Sequence, residues 1–536
     1  MAIAVSAMAA LPHGPGTRAA GPRFYPDDPI QADDDRAFDA SGAAPIEGSN
    51  IWDFAEHTFL DRGERNPIPA VNVNTMDEVP DSTWFTNRIG RTPLSPGEIA
   101  RGPITLEALN VDGWPIIEGK SQGVTPGYRV VDPSGRRYQI KFDPPSNPEM
   151  SSGAEVIGAA LYHAAGYNVV EGYIVEIDPE RIVIAPEART VNMAGREKRM
   201  TKEDVMLILR RAARQPNGRY RAIASRYAEG KYLGYFKYYG TRPDDPNDIF
   251  PHEHRRELRG NRVFAAWLNH DDSRALNSLD MLQGPEGRKF IRHYMFDFGS
   301  IMGSSATKAQ VPRAGNEYLL EWEPALLTLA TLGLYVRPWI WIDYPNVAKS
   351  IGRFESARFE PERWKPDYPN PAFENMRADD AFWAARIVAR FSDDAIRATV
   401  ARARYSEPGA AEYVAKTLIE RRDKVVRTWL PGVNPIVSPA LDASGTLTFQ
   451  NSAVEAGVAS GPTAYIVQWH HFDNAAGPGE AIGSEIRVSE PRAAAPLDSL
   501  QGREFAAVKV RTVHPQFPHW ADPVTVYFRR NGGAWR

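Results

Sequence analysis

The stretch from Pro251 to Gly299 constrains this chain more than any other. Leu258, Val263, Phe264, Trp267 and Leu268 fall at helical spacing, which predicts an apolar-faced helix. The helix gives way to a polar turn, His270-Asp271-Asp272-Ser273-Arg274-Ala275-Leu276-Asn277. A strand-like run, Phe290 to Phe296, then ends in Asp297-Phe298-Gly299. Two acids and an amide on loops fed by apolar elements can hold a divalent cation and a proton acceptor together. Hard oxygen ligands of this kind suit magnesium, with phosphate oxygens and water completing the octahedron. Each half of the pattern has a structural reading too, since Asp-Asp before Ser is common helix-cap chemistry.

Upstream, from Trp114 to Asp143, the apolar period becomes two. Strands are predicted at Trp114–Ile117, Tyr128–Asp132 and Tyr138–Phe142, with turns at Glu118–Gly123 and Pro133-Ser134-Gly135. A helix from Ser152 to Ala165, stopped by Gly166, carries the stripe Val156, Ile157, Ala160, Leu161 and Ala164. Two side chains here have competing readings. Lys141 on the third strand is also readable as an edge-strand lysine facing solvent. Glu155 is also readable as the closing residue of a capping box, Ser152-Gly153-Ala154-Glu155.

The ordered pair H-x-D-x-x-x-x-N and D-F-G, carried by His270, Asp272, Asn277 and Asp297-Phe298-Gly299, resembles the protein-kinase-like superfamily. The likeness is to its atypical HipA-like and lipid-kinase-like branches and rests on short sites. It implies an α+β, two-lobed fold and an ATP- and magnesium-dependent phosphotransferase. By the resemblance Asp272 is the catalytic base, Asn277 and Asp297 hold metal, and Lys141, in Tyr-Gln-Ile-Lys, contacts phosphates while Glu155 orients it. The glycine loop departs from G-x-G-x-x-G, because Gly119, Gly123 and Gly127 are spaced four apart. Lys120, Ser121 and Gly123 are the nucleotide-contacting candidates in that turn. The acceptor is open between a protein hydroxyl, a lipid and a small molecule. Nucleotidyl transfer on the same fold, or a catalytically silent binding module, are the alternatives.

Composition narrows the rest. With 536 residues, two or three domains are expected. A net charge of −4 leaves no basic footprint for nucleic acid, and the absence of cysteine excludes disulfides, zinc thiolates and thiol catalysis. The most apolar stretch, Pro324 to Val336, has thirteen residues without charge, short of the about 20 that span a bilayer, so no integral membrane segment is expected.

Residues 1–49 read as a flexible segment whose start, Ala2 to Leu11, resembles the back half of a secretory signal. Cytoplasmic and exported locations both follow from that. Residues 50–113 read as an N-terminal extension, and 114–430 as the kinase-like domain. Within that domain 114–190 is a small lobe, 193–247 an insertion and 248–430 a large lobe. His252-Glu253-His254 lacks metal-binding H-E-x-x-H spacing and reads as a solvated helix start. Beyond the break at Pro431-Gly432, residues 431–536 return to a period of two and predict a small β-sandwich.

Overall fold

The computed structural model describes residues 35–60, 62–74, 76–120, 124–191, 195–532 and 534–536. The expectation for a secretory-like start lies outside the described residues. The molecule is a mixed α/β protein with several sheets, and it divides into two compact units. One runs up to Pro435 and includes Ser452–Ser460; the other holds Ile436–Asn451 and Gly461–Arg536.

The first unit begins with chain that is tied down rather than flexible. The Asp35 carboxylate accepts from the Thr83 amide at 2.6 Å, and the Ala40 and Ile46 amides bond Lys289 O and Leu233 O, both at 2.9 Å. Two helices follow, α1 (Asn50–Phe59), capped by Ser49, and α2 (Pro96–Arg101), opened by a Ser95/Glu98 capping box.

A seven-stranded sheet comes next. Its strands are β1 (Pro115–Gly119), β2 (Gly127–Val131), β3 (Arg137–Phe142), β4 (Gly172–Ile177), β5 (Val183–Val191), β6 (Glu197–Arg199) and β7 (Tyr220–Arg226), in the order β4-β7-β3-β2-β1-β5-β6. The predicted Pro133-Ser134-Gly135 turn forms, with Gly135 at φ +82° and the Asp132 carboxylate accepting from the Ser134 amide at 2.8 Å. At Gly127 a Cβ would meet Ile140 O at 2.1 Å, so only glycine lets β2 pair with β3 there. Tyr138, Ile140 and Phe142 point to a core shared with Tyr128, Val130 and Tyr173. Alternation therefore turns Lys141 to the opposite face.

Strand β4 pairs with β7 at one edge, while β5 runs parallel to β1 across the sheet. One expectation changes here. The central partner of β3 is β7, from the stretch read as an insertion. That stretch also supplies helix α4 (Lys202–Leu209), after helix α3 (Met150–Ala165), which lies between β3 and β4.

Helix α5 (Arg256–Leu268) is buried along nearly its whole length and ends at Asn269 in the left-handed region (φ +50°). The Arg421 guanidinium caps its carbonyl end, donating to Ala266 O at 2.6 Å and Trp267 O at 2.8 Å. The run before it is not solvated. His252 and His254 are buried in a 3-10 turn, held by Asp248 at 2.7 Å and Glu64 at 2.9 Å. A second sheet joins β8 (Lys231–Tyr232), which precedes α5, to β9 (Ser278–Gln283) and β10 (Phe290–Met295), which follow it. Helices α6 (Trp322–Ala330), α7 (Pro371–Glu374), α8 (Ala378–Val388), α9 (Asp393–Ala401) and α10 (Ala410–Trp429) complete the unit. Ser392 caps α9, its hydroxyl accepting from the Ala395 amide, and Val414, Leu418, Val425 and Trp429 of α10 are buried.

The second unit has a three-stranded sheet, from β11 (Ile436–Leu441), β12 (Thr446–Asn451) and β15 (Arg492–Ala494). Its five-stranded sheet has β13 (Ala464–Asp473), β14 (Gly477–Val488), β16 (Phe505–Val513), β17 (Val524–Asn531) and β18 (Ala534–Trp535). Leu447 and Phe449 from the first and Val467, Trp469 and Val508 from the second share one core.

Candidate active site

Three charged side chains that sequence separates by up to 156 positions meet at one point of the first unit. Lys141 Nζ of β3 lies 2.7 Å from Asp297 Oδ1 and 3.9 Å from Glu155 Oε2 of α3. Lys141 and Glu155 are buried, while the Asp297 carboxylate is 41% exposed. Lys141 is therefore no edge-strand lysine, because β2 and β7 flank its strand. Burial works against its charge, but Asp297 and Glu155 outweigh that and raise its pKa above the ordinary lysine value. Asp297 balances the same forces in reverse: burial would raise it, and Lys141 brings it below the usual carboxylate range. Burial lifts Glu155, partly offset by Lys141 and reinforced by Asp297.

The capping reading of Glu155 fails. Helix α3 starts two residues before Ser152, and Asp143 satisfies the Ser152 amide at 2.8 Å and its hydroxyl at 2.5 Å. Arg221 Nε donates to that hydroxyl at 2.9 Å from β7. Glu155 is thus free to face Lys141. The close seat of α3 follows from Gly158, where a Cβ would lie 2.7 Å from Phe298 and Ile301 atoms. Phe298 in turn packs against Tyr162 (ring centroids 4.8 Å apart) and His270 (5.7 Å). Asp297 itself stands at φ +63°, an uncommon conformation for a non-glycine residue.

The loop after α5 supplies the remaining groups. Asn277 Nδ2 donates to the Asp272 carbonyl at 2.8 Å, and Asn277 O accepts the Phe296 amide at 3.0 Å. The second bond ties the loop to the residue before Asp297. The first commits the amide nitrogen, which leaves the Asn277 Oδ1 lone pairs for another partner. Burial pushes the Asp272 carboxyl up to about 7, opposed by Arg274, whose Nε lies 2.7 Å away, and reinforced by Asp367. Burial, with Asp367 and Asp272 adding, raises neighbouring Asp271 well above the carboxylate range, and its Oδ1 accepts from Gln310 at 2.6 Å. Burial lowers His270 to about 4, and its Nδ1 lies 3.1 Å from Tyr162 Oη.

Lys120 lies at the end of β1 with Nζ donating to Thr125 O at 3.0 Å. Burial first and Lys141 second bring its pKa down to about 8, while Asp297 works the other way, so all three charges act on one region. Ser121 and Gly123 lie outside the described residues. Sequence reasoning missed Arg274 and the residues behind it. The Tyr368 hydroxyl hydrogen-bonds Asp53 of α1, and it also lies against the Arg274 guanidinium. Arg274, inside the quoted motif, was readable as a counter-charge two positions from Asp272; Tyr368 and Asp53 carried no local signal.

Asp297 and Asn277 carry hard oxygen donors, the type that magnesium takes. Among the described residues no group of three or more His, Cys, Asp or Glu is arranged to hold a metal ion. The Asp297 carboxylate is partly exposed beside Lys141, and the Asn277 side-chain oxygen has its amide nitrogen, not itself, bonded to the loop.

No family model matches the chain, and no curated protein matches it. Among solved structures the chain is similar to a Helicobacter pylori proinflammatory kinase, CtkA, at 11% identity with a TM-score of 0.29. That match covers 60% of this chain and 97% of the other.

Proposed function

We propose that the chain is an ATP- and magnesium-dependent phosphotransferase of two-lobed, atypical kinase-like fold. The observation that carries the reading is Lys141 held between Asp297 and Glu155, with Asp272 and Asn277 bonded into the adjoining loop. In this reading Lys141 binds nucleotide phosphates, Glu155 orients Lys141, and Asn277 and Asp297 hold magnesium. Bound magnesium would neutralise charge on the phosphates. Asp272 accepts the proton of the acceptor hydroxyl, a task suited to a carboxyl poised near neutral pH. Lys120 adds a further cation for the phosphates, and Ser121 and Gly123 stay nucleotide-contacting candidates from the sequence alone. The acceptor is a protein hydroxyl, a lipid or a small molecule.

The test is a thermal-shift titration with ATP, with and without Mg²⁺ or Mn²⁺. A hundredfold excess over Kd stabilises the folded state by about 2.7 kcal/mol. No shift at millimolar nucleotide with either metal removes the reading. Binding without transfer of the γ-phosphate of labelled ATP to any acceptor indicates a silent module, and transfer of the α-phosphate indicates nucleotidyl transfer.

A further inference from the structure

The uncharged stretch 324–336 forms the most exposed apolar surface of the first unit. Its chain folds as α6, in which no residue is buried, and then turns back at Gly333 (φ +87°). Leu329, Leu332, Leu334 and Trp341 are 72%, 92%, 83% and 72% exposed. Phe59 of α1 meets Trp322 edge-on at 6.5 Å, and the exposed Ile51 and Trp52 add to the apolar surface of that helix. A patch of this kind marks an interaction site.

The polar groups of the tip indicate what covers it. The Thr328 hydroxyl donates to Pro324 O at 2.7 Å and the Thr331 hydroxyl to Leu327 O at 2.7 Å. The amides of Thr331, Leu332, Gly333 and Leu334 find acceptors within the segment at 2.7–3.1 Å, and Tyr335 N bonds the Thr331 hydroxyl at 2.9 Å. Hydrocarbon offers no hydrogen-bond partners, so a segment entering it must satisfy its donors internally. A protein partner imposes no such demand. The charge pattern complements a bilayer in the same way. The tip bears no charge; at its base Arg337 is paired with Glu317 and Lys365 with Glu321, while Glu323 in the first turn of α6 stands exposed. Trp339 Nε1 donates to Glu317 at 2.7 Å, and Trp322 and Trp341 flank the same base. Indoles at that level suit the headgroup boundary.

We propose that the protrusion 322–341 is a bilayer-docking tip that enters the interfacial region of a lipid membrane. It lies in the interface and does not span: α6 has nine residues, and no helix among the described residues is long and apolar enough to cross a membrane. Because the tip is uncharged and the flanking cations Arg337 and Lys365 are paired, the contact is apolar and does not depend on anionic headgroups. The proposal is independent of the phosphotransferase reading.

The test uses the full chain and phosphatidylcholine vesicles, with and without added phosphatidylglycerol. Co-sedimentation with both, largely unchanged between 0.05 and 0.5 M salt, is expected from the paired flanking charges. The double variant Leu332→Asp/Leu334→Asp, at solvent-exposed positions, is expected to lose at least tenfold in partitioning with an unchanged circular dichroism spectrum. Quenching of tryptophan fluorescence by brominated phosphatidylcholine needs no mutation, and it is expected to fall in Trp322→Phe/Trp341→Phe. Wild-type protein that stays in the supernatant and is not quenched overturns the proposal. Binding only to anionic vesicles with steep salt dependence overturns it as well. So does a self-association that the double aspartate variant abolishes while vesicle binding is absent.

Discussion

Lys141 donates to Asp297 at 2.7 Å, joining the seven-stranded sheet to the turn that follows β10. This one contact ties together two sheets that share no strand. Its second carboxylate, Glu155, arrives on α3, whose position is set by the Gly158 contact with Phe298. Helix α3 thus carries one carboxylate beside Lys141, and the turn after β10 carries the other.

Glu155→Gln tests the carboxylate on α3. With Asp143 serving the Ser152 amide, the substitution removes no helix cap. It removes a buried carboxylate that Asp297 further disfavours, so melting temperature should hold or rise. Phosphoryl transfer should fall by about tenfold or more, a change of ~1.4 kcal/mol in barrier. Thermal melts alongside turnover check both halves, and unchanged turnover withdraws Glu155 from the site.

Asp143→Ala should do the reverse. Asp143 and Arg221 are both buried, and the carboxylate lies 3.9 Å from the guanidinium while it bonds Ser152. Removing it leaves Glu149, also 3.9 Å away, as the remaining carboxylate beside the buried Arg221 and takes the acceptor from the Ser152 amide, at a cost of about 3 kcal/mol. Denaturant unfolding measures this directly, with residual turnover per folded molecule expected to change far less than stability.

Asp272 should give opposite pH trends in activity and stability. Its folded pKa, about 7, exceeds the unfolded value near 3.9. Between those values the folded state binds the extra proton. This group's contribution is therefore full below about pH 4 and is lost as pH rises through about 7. In the proposed role as base Asp272 acts ionised, so turnover should rise through the same pH. Asp272→Asn should accordingly lose turnover yet melt higher than wild type at pH 8, with the difference vanishing near pH 4. A variant that melts lower at pH 8 refutes the assignment of the raised carboxyl to Asp272.

Much of the site was legible because its parts are local. His270 to Asn277 and Asp297 to Gly299 are short runs whose residue types already state their chemistry, and the strand carrying Lys141 shows its period of two. The misreadings share a different cause. Ser152 and Glu155 have capping-box spacing, but a carboxylate nine residues upstream captured the serine. His252 and His254 look solvated until Asp248 and the distant Glu64 are brought to them. Strand β7 looked like inserted chain because both its partners, β3 and β4, precede it by long separations in sequence. Local pattern carries no record of such partners, and the Asp53–Tyr368–Arg274 chain behind Asp272 was invisible for the same reason.

The three acids of the site should fail in three different ways. On the proposed reading Asp297→Asn weakens a metal ligand together with the Lys141 ion pair, so magnesium-dependent nucleotide binding should drop with turnover. Asp272→Asn touches only the acceptor side, so nucleotide binding should survive while turnover falls by about 10²–10⁴-fold, the usual worth of a general base. Asp271 is the control for the loop register. Its carboxyl is buried, pushed far above the usual range and bonded to Gln310, and its carbonyl accepts from Asp367 at 2.8 Å. A group held protonated and turned to Gln310 is a poor base, so Asp271→Asn should retain most turnover. Calorimetric titration of Mg-ATP into each variant, paired with turnover, separates the three. Loss of turnover in Asp271→Asn with full activity in Asp272→Asn would move the base by one position. Equal nucleotide affinity in Asp297→Asn and wild type would remove Asp297 from the metal set and leave Asn277 without its partner ligand.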